Sequence, residues 1–337
     1  MRRTFLKLAL FVLAVYLPWL AVVKLARPRY VADDFASWVL KFGLTDLDKK
    51  KIDSPHLAVG DCLVLAGVLP KKIDQKLYNF GLSGATPIEA YFLLKRYLAS
   101  GKKTERVYLM FGMTHFQLAD SLQEYTLAYG ILTLEEELTL LNDIRIYGSP
   151  EKGNPHWMET WANSALTLLG VDSQTSIQVR KRLFTSSHEY ISEKLETMKR
   201  TKGQHHFVDE TLDRFQPAPL VDYHHLNLNP LISHYLRQTL DLLRESGIET
   251  IVDFVPNNSV SWLKFSPGFH QEWQDFRQTL KRDYPEITLG DISHYPPEMY
   301  GDHSHMNAAG AEKFSEEFRL RYYQRASELE PMAATRN

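Results

Sequence analysis

The chain has 337 residues, 44% hydrophobic and 24% charged, the composition of a globular protein with a sizeable core. Its net charge of −2 gives no electrostatic case for nucleic-acid binding. The single cysteine, Cys62, excludes an intramolecular disulfide and stays a free thiol unless modified or joined to another chain.

Arg2, Arg3 and Lys7 precede an uncharged stretch from Leu8 to Val23, and Lys24, Arg27 and Arg29 follow it. About 16 residues rise roughly 24 Å as a helix, enough for a bilayer only if Lys7 and Lys24 snorkel. An uncleaved single-pass anchor over residues 1–29 is the first expectation, and a cleaved leader the second. Residues 30–55 read as a membrane-proximal helix and linker.

From His56 the pattern becomes strand–helix alternation. His56 to Val59 is a short apolar run that predicts the first strand, and Lys76 to Phe80 predicts the second. Thr86-Pro87-Ile88-Glu89 is a strong helix start, with an N-cap, a proline at the first helical position and a capping box. Gly101 closes that helix, and Val107 to Phe111 predicts a buried strand ending at Gly112. Between about 116 and 219 the pattern shifts to long helical stretches, such as Leu132 to Leu141 and His188 to Lys199. This block reads as a helical insertion over the sheet edge. Alternation then returns: a helix from Leu231 to Glu245, a strand from Thr250 to Val255, a helix from Phe269 to Arg282, a short strand from Glu286 to Leu289, and a last helix from Ala308 to Gln324. The order predicts an α/β fold, a mainly parallel sheet with helices on both faces over residues 56–325, and a tail from 326 to 337. In such sheets the reactive crevice lies at the carboxyl ends of the strands. Gly60-Asp61-Cys62, Asn79 to Gly84 and Gly112 to His115 all fall at those ends.

Cys62 sits at a strand-to-helix elbow, and about 240 residues later comes Asp302-His303-Ser304-His305-Met306-Asn307. Thiol, imidazole and carboxylate are the parts of a nucleophile, its base and the group that orients the base. His205-His206 and His224-His225 invite a zinc reading. Adjacent histidines do not share one face of a helix or strand, however, and there is no second cysteine, so no metal or other cofactor is expected. Trp157, Trp161, Trp262 and Trp273 could stack on sugars, although core packing is the simpler role for most of them.

Gly60-Asp61-Cys62, Asn79-Phe80-Gly81-Leu82-Ser83-Gly84 and Asp302-x-x-His305 follow the order of the sequence blocks of SGNH (GDSL-type) hydrolases, which the chain resembles from about 56 to 325. With the apolar N-terminus, Gly84-Ala85-Thr86-Pro87-x-Glu89 and Asp302-x-x-His305-x-Asn307, it looks like the membrane-anchored SGNH proteins of cell-envelope acylation. Those include alginate-type O-acetyltransferases and the D-alanyl-transfer protein of teichoic acid synthesis.

The resemblance implies a three-layer fold with an extracytoplasmic (periplasmic) catalytic domain. It also implies a polysaccharide acceptor and a multi-pass membrane O-acyltransferase as acyl donor. It puts Cys62 in the place of the family's serine, His305 as base and Asp302 as its orienter. Asp61, Gly84, Thr114 and His115 are the candidate oxyanion and substrate-binding residues, with Thr114 at the position of the family's asparagine. Acyl transfer through an acyl-Cys62 intermediate is the leading expectation. An esterase or deacetylase of the same fold, and a catalytically silent glycan-binding assembly subunit, stay open beside it.

Overall fold

The computed structural model describes residues 7, 10–19, 21, 35–45, 54–117, 122–127, 131–148, 161–166, 188–207 and 223–324. The rest of the expected anchor, half of the linker, much of the insertion with Trp157, and the tail lie outside the described residues.

Helix α1 (Phe35–Gly43) precedes strand β1 (His56–Gly60), which runs into α2 (Cys62–Gly67). Then come β2 (Leu77–Gly81), α3 (Pro87–Ala99) and β3 (Arg106–Met110). Helices α4 (Leu134–Tyr147) and α5 (His188–Arg200) belong to the predicted insertion. Alternation resumes with α6 (Pro230–Glu245), β4 (Glu249–Asp253), β5 (Asn257–Asn258), α7 (Pro267–Asp283), β6 (Thr288–Leu289), β7 (His294–Tyr295) and α8 (Ala308–Arg319). The main sheet has the order β2-β1-β3-β4-β6 and every pairing in it is parallel. Strands β5 and β7 pair separately, also in parallel.

Parallel strands are covered on both faces, so their residues are apolar on both sides. All five residues of β1 and of β2 are buried. Side chains alternate between two layers. Leu57, Val59, Leu109 and Val252 pack with Leu93 of α3, Leu236 of α6 and Trp273 of α7. On the opposite face Ala58, Tyr108, Met110 and Ile251 pack with Val64 of α2 and Phe314 and Phe318 of α8. The protein is therefore α/β, with a mainly parallel central sheet flanked by helices. Trp273, 1% exposed, belongs to this core rather than to a sugar-binding surface.

The predicted helix start at Thr86 forms as expected. Its hydroxyl accepts from Ile88 N (3.3 Å), and Glu89 Oε2 accepts from Thr86 N (2.7 Å). At the other end of the chain α8 stops at Arg319 rather than Gln324, and a wider turn covers Leu320–Gln324. That turn brings Tyr322 to Asp253, where its hydroxyl donates to Oδ2 (2.7 Å), and Arg321 to the same carboxylate.

The expected N-terminal anchor has no support here: among the described residues no helix is long and apolar enough to cross a membrane. Residues 10–19 are helical, with Leu10, Phe11, Val12, Leu13, Val15 and Leu17 exposed.

Helix α1 braces the loop after β2. Trp38 Nε1 donates to Ser83 O (2.9 Å), and Ser83 N donates to Ser37 Oγ (3.2 Å). Lys41, fully buried, donates from Nζ to Gly81 O. Burial holds the Lys41 amine well below the ordinary lysine range. A depressed amine contributes nothing above its unfolded value near 10.4, where both states are neutral, and costs stability as pH falls from there toward its folded value. Lys41→Met is therefore expected to raise stability by about 1–3 kcal/mol at pH 7, with the gain shrinking toward pH 10. Urea-denaturation midpoints at the two pH values measure it.

Candidate active site

The site is assembled at the carboxyl ends of β1, β2 and β3. Strand β1 ends at Gly60, where a Cβ would lie 1.7 Å from Met110 O and 2.6 Å from Val64 Cγ2. Only glycine lets the chain turn there against β3 and start a helix within two residues. Asp61 then caps α2: Oδ1 accepts from Leu63 N (2.8 Å) and Val64 N (3.4 Å). Its other oxygen, Oδ2, accepts from Gly112 N (2.7 Å) just beyond β3. One carboxylate thus bolts the start of α2 to the end of β3, and the next residue is Cys62, half-buried.

His305 arrives from the loop before α8. Asp302 Oδ1 accepts from Ser304 N (2.8 Å) and His305 N (2.6 Å), while Oδ2 accepts from His305 Nδ1 (2.6 Å). Holding Nδ1 as donor leaves Nε2 as the working nitrogen. That Nε2 is buried without a hydrogen-bond partner, and the Cys62 charge is the largest influence that raises the ring. The loop is pinned by Gly301 N donating to His305 O (2.9 Å) and by Asn307, whose Nδ2 donates to Glu298 O (2.8 Å). Asn307 also caps α8, its Oδ1 accepting from Gly310 N (3.0 Å), as its place in the sequence suggests. The Phe207 ring lies 4.6 Å from the imidazole, centroid to centroid. Phe207 follows a segment in which Lys202 O accepts from Asn79 N (2.9 Å) on edge strand β2. Nothing in the sequence around Phe207 marked it for the site.

A second imidazole reaches the sulfur. Burial alone would raise the Cys62 thiol, but the charge of His305 and hydrogen bonds with His115 and His305 bring it down to about 6. Burial would lower His115, but the Asp61 charge and the hydrogen bond with Cys62 push it up to about 10. His305 is also penalised by burial, yet the Cys62 charge and the Asp302 hydrogen bond hold it well above the ordinary histidine range. For Asp302, burial works against ionisation and the His305 bond and charge prevail, keeping it well below the usual carboxylate range. The three groups thus favour one another's charged forms, thiolate on Cys62 and imidazolium on His115 and His305.

The structure brings Cys62, His305, Asp302 and His115 together and revises the rest of the predicted set. Asp61 does not face substrate: it is fully buried and its oxygens are spent on backbone N–H groups and on His115. Thr114 enters its turn through its carbonyl, which accepts from Gln117 N (3.0 Å), and His115 is the residue of that turn that interacts with Cys62. Gly84 adopts the left-handed conformation (φ 66°) in the loop that α1 braces. Asn79, part of the second sequence block, is structural: its Nδ2 donates to Val64 O (2.8 Å) and Val68 O (2.9 Å) at the end of α2. Among the described residues no group of three or more His, Cys, Asp or Glu side chains could hold a metal ion. Comparison with known proteins found no matching family model and no matching curated protein.

The ionisation of Cys62 is directly measurable. Carbamidomethylation by iodoacetamide requires the thiolate, so its rate should rise with pH and reach half its plateau near pH 6. An ordinary thiol would do so near about 8.5. In His305→Ala the midpoint should move upward, because the His305 charge is the largest influence lowering it.

Proposed function

We propose that this protein is an acyltransferase that carries an acyl group on Cys62 and passes it to a hydroxyl of an envelope or extracellular polysaccharide. The single observation that carries this reading is the grouping of Cys62, His305 and Asp302, a thiol whose ionisation His305 favours, with that imidazole oriented by Asp302 at 2.6 Å. In the first half-reaction the Cys62 thiolate attacks the donor's acyl carbonyl. The carbon–sulfur bond forms, the bond to the donor breaks, and His305 gives its Nε2 proton to the leaving group. In the second half-reaction neutral His305 takes the proton of the acceptor hydroxyl, whose oxygen attacks the thioester. Sulfur departs as thiolate beside a restored imidazolium. The sugar acceptor, the acetyl group, the multi-pass donor and the extracytoplasmic setting rest on the resemblance to SGNH envelope acylation proteins.

The test uses the full chain, a chromogenic acetyl ester and an oligosaccharide acceptor, with intact-mass detection of a 62-acetyl adduct. Acceptor-dependent turnover through that adduct supports transfer. Turnover with water alone makes the protein an esterase, and absence of any adduct leaves only a binding role.

A further inference from the structure

Resting on the acyl-Cys62 reading, we propose that His115 is a catalytic residue, the electrophile that binds the carbonyl oxygen of the acyl group as it turns into an oxyanion. It would fill the role for which the sequence pattern offered Thr114.

Three placements carry this. His115 Nδ1 lies 2.9 Å from Ala85 O, and a carbonyl oxygen only accepts, so Nδ1 keeps its proton in every ionisation state. The same nitrogen is 3.4 Å from Asp61 Oδ2, a buried carboxylate that itself accepts from Gly112 N, so the ring is held from behind by a fixed acceptor. With Nδ1 so occupied, Nε2 is the nitrogen free to serve the interaction of the ring with Cys62. The ring lies against the backbone of Gly112: a Cβ there would touch His115 Cδ2, the ring carbon next to Nε2, at 3.4 Å, and would crowd Leu63 Cδ1 at 2.7 Å.

The two imidazoles flanking the sulfur are held differently. His305 is backed by Asp302 on a loop and exchanges a proton with leaving group and acceptor. His115 is backed by Asp61 and a main-chain carbonyl, and the groups that face it, Asp61 and Cys62, both favour the cation. A ring biased toward the cation is a poor base and a strong donor. When the thiolate attacks, the negative charge moves from sulfur to the carbonyl oxygen, and the Nε2–H that faced sulfur can follow it. A fixed donor at that position costs no reorganisation during the reaction.

The test separates oxyanion stabilisation from thiolate formation. Alkylation by iodoacetamide forms no oxyanion, whereas acylation by p-nitrophenyl acetate does, and nitrophenolate needs no proton to leave. Both rates are measured across pH for wild type, His115→Ala, His115→Gln and Thr114→Val. Rates are compared on the alkaline plateau of each variant's alkylation profile, where the thiolate is complete. In His115→Ala the alkylation plateau should match wild type while acylation falls about 100- to 1,000-fold. His115→Gln, which keeps a neutral N–H donor, should recover part of that loss. Acylation plateaus equal to wild type would mean that His115 only ionises Cys62, and the proposal fails. It fails as well if both reactions fall together in both His115 variants, or if Thr114→Val takes the loss instead. A wild-type protein that alkylates but never acylates overturns the acyl-transfer reading itself, and this one with it.

Discussion

Cys62→Ala is expected to lower acetyl-ester turnover by about 10⁴-fold or more, and His305→Ala by a comparable factor, with no acetyl adduct in either. Both losses should occur without unfolding, because Cys62 is half-buried and the hydrogen bond of the His305 side chain stays within its own loop. The two variants should not add: a thiol without its imidazole and an imidazole without its thiol are equally idle, so the double variant should resemble either single one. The wild-type profile of kcat/KM should rise as pH passes about 6, where the Cys62 thiolate forms beside its imidazolium partners. It should fall again at alkaline pH, where His305 loses the proton that it gives to the leaving group. Cys62→Ser provides the contrast. A serine hydroxyl does not ionise in this range, so His305 must first become neutral to act as base. With the Cys62 charge gone, the largest influence raising His305 is also gone. The serine variant's activity should therefore first rise along a limb that reports His305 becoming neutral. If Cys62→Ala and His305→Ala keep wild-type turnover, any esterase activity arises elsewhere and the enzymatic reading ends.

The strands that carry the site were the legible part of the sequence. His56 to Val59, Val107 to Phe111 and Thr250 to Val255 are apolar runs bounded by turn residues, because a central parallel strand is buried on both faces. Their ends shift by one or two residues, since hydrogen bonding to a neighbour, and not composition, sets where pairing stops. The predicted strand from Glu286 to Leu289 reduces to Thr288 and Leu289, opposite Ile251 and Val252 at the sheet's edge. Strands β5 and β7, two residues each, carry no periodicity and were invisible. Among the site residues, Cys62, His305 and Asp302 were legible because few other roles suit that set at a strand end and before a capped helix. The partnership of Asp61 with His115 was not. It depends on β1 and β3 being neighbours, so that Gly112 N meets the cap of α2, a fact of topology rather than of local pattern. Phe207 over His305 depends in the same way on where the chain after α5 crosses edge strand β2.

That junction makes Asp61 the residue with the largest expected effect on stability. Asp61→Ala would leave Gly112 N, Leu63 N and Val64 N without their acceptor in a fully buried setting, and would strip His115 of its countercharge. Each orphaned donor costs on the order of 1–3 kcal/mol, and a cap alone is worth about 1 kcal/mol, so a loss of about 3–5 kcal/mol is expected. Asp61→Asn should cost less, because the amide oxygen can keep one set of N–H bonds while its NH₂ meets a donor where an acceptor is needed. The two variants also part the structural role of Asp61 from its electrostatic one. In Asp61→Asn the His115 imidazole loses the charge that does most to raise it, and a neutral His115 can no longer hold the thiolate as an ion pair. The alkylation midpoint of Cys62 should therefore move upward even where the urea midpoint has fallen only slightly. An Asp61→Asn protein with an unshifted alkylation profile would mean that the carboxylate serves as a helix cap and nothing more, with His305 alone ionising the sulfur.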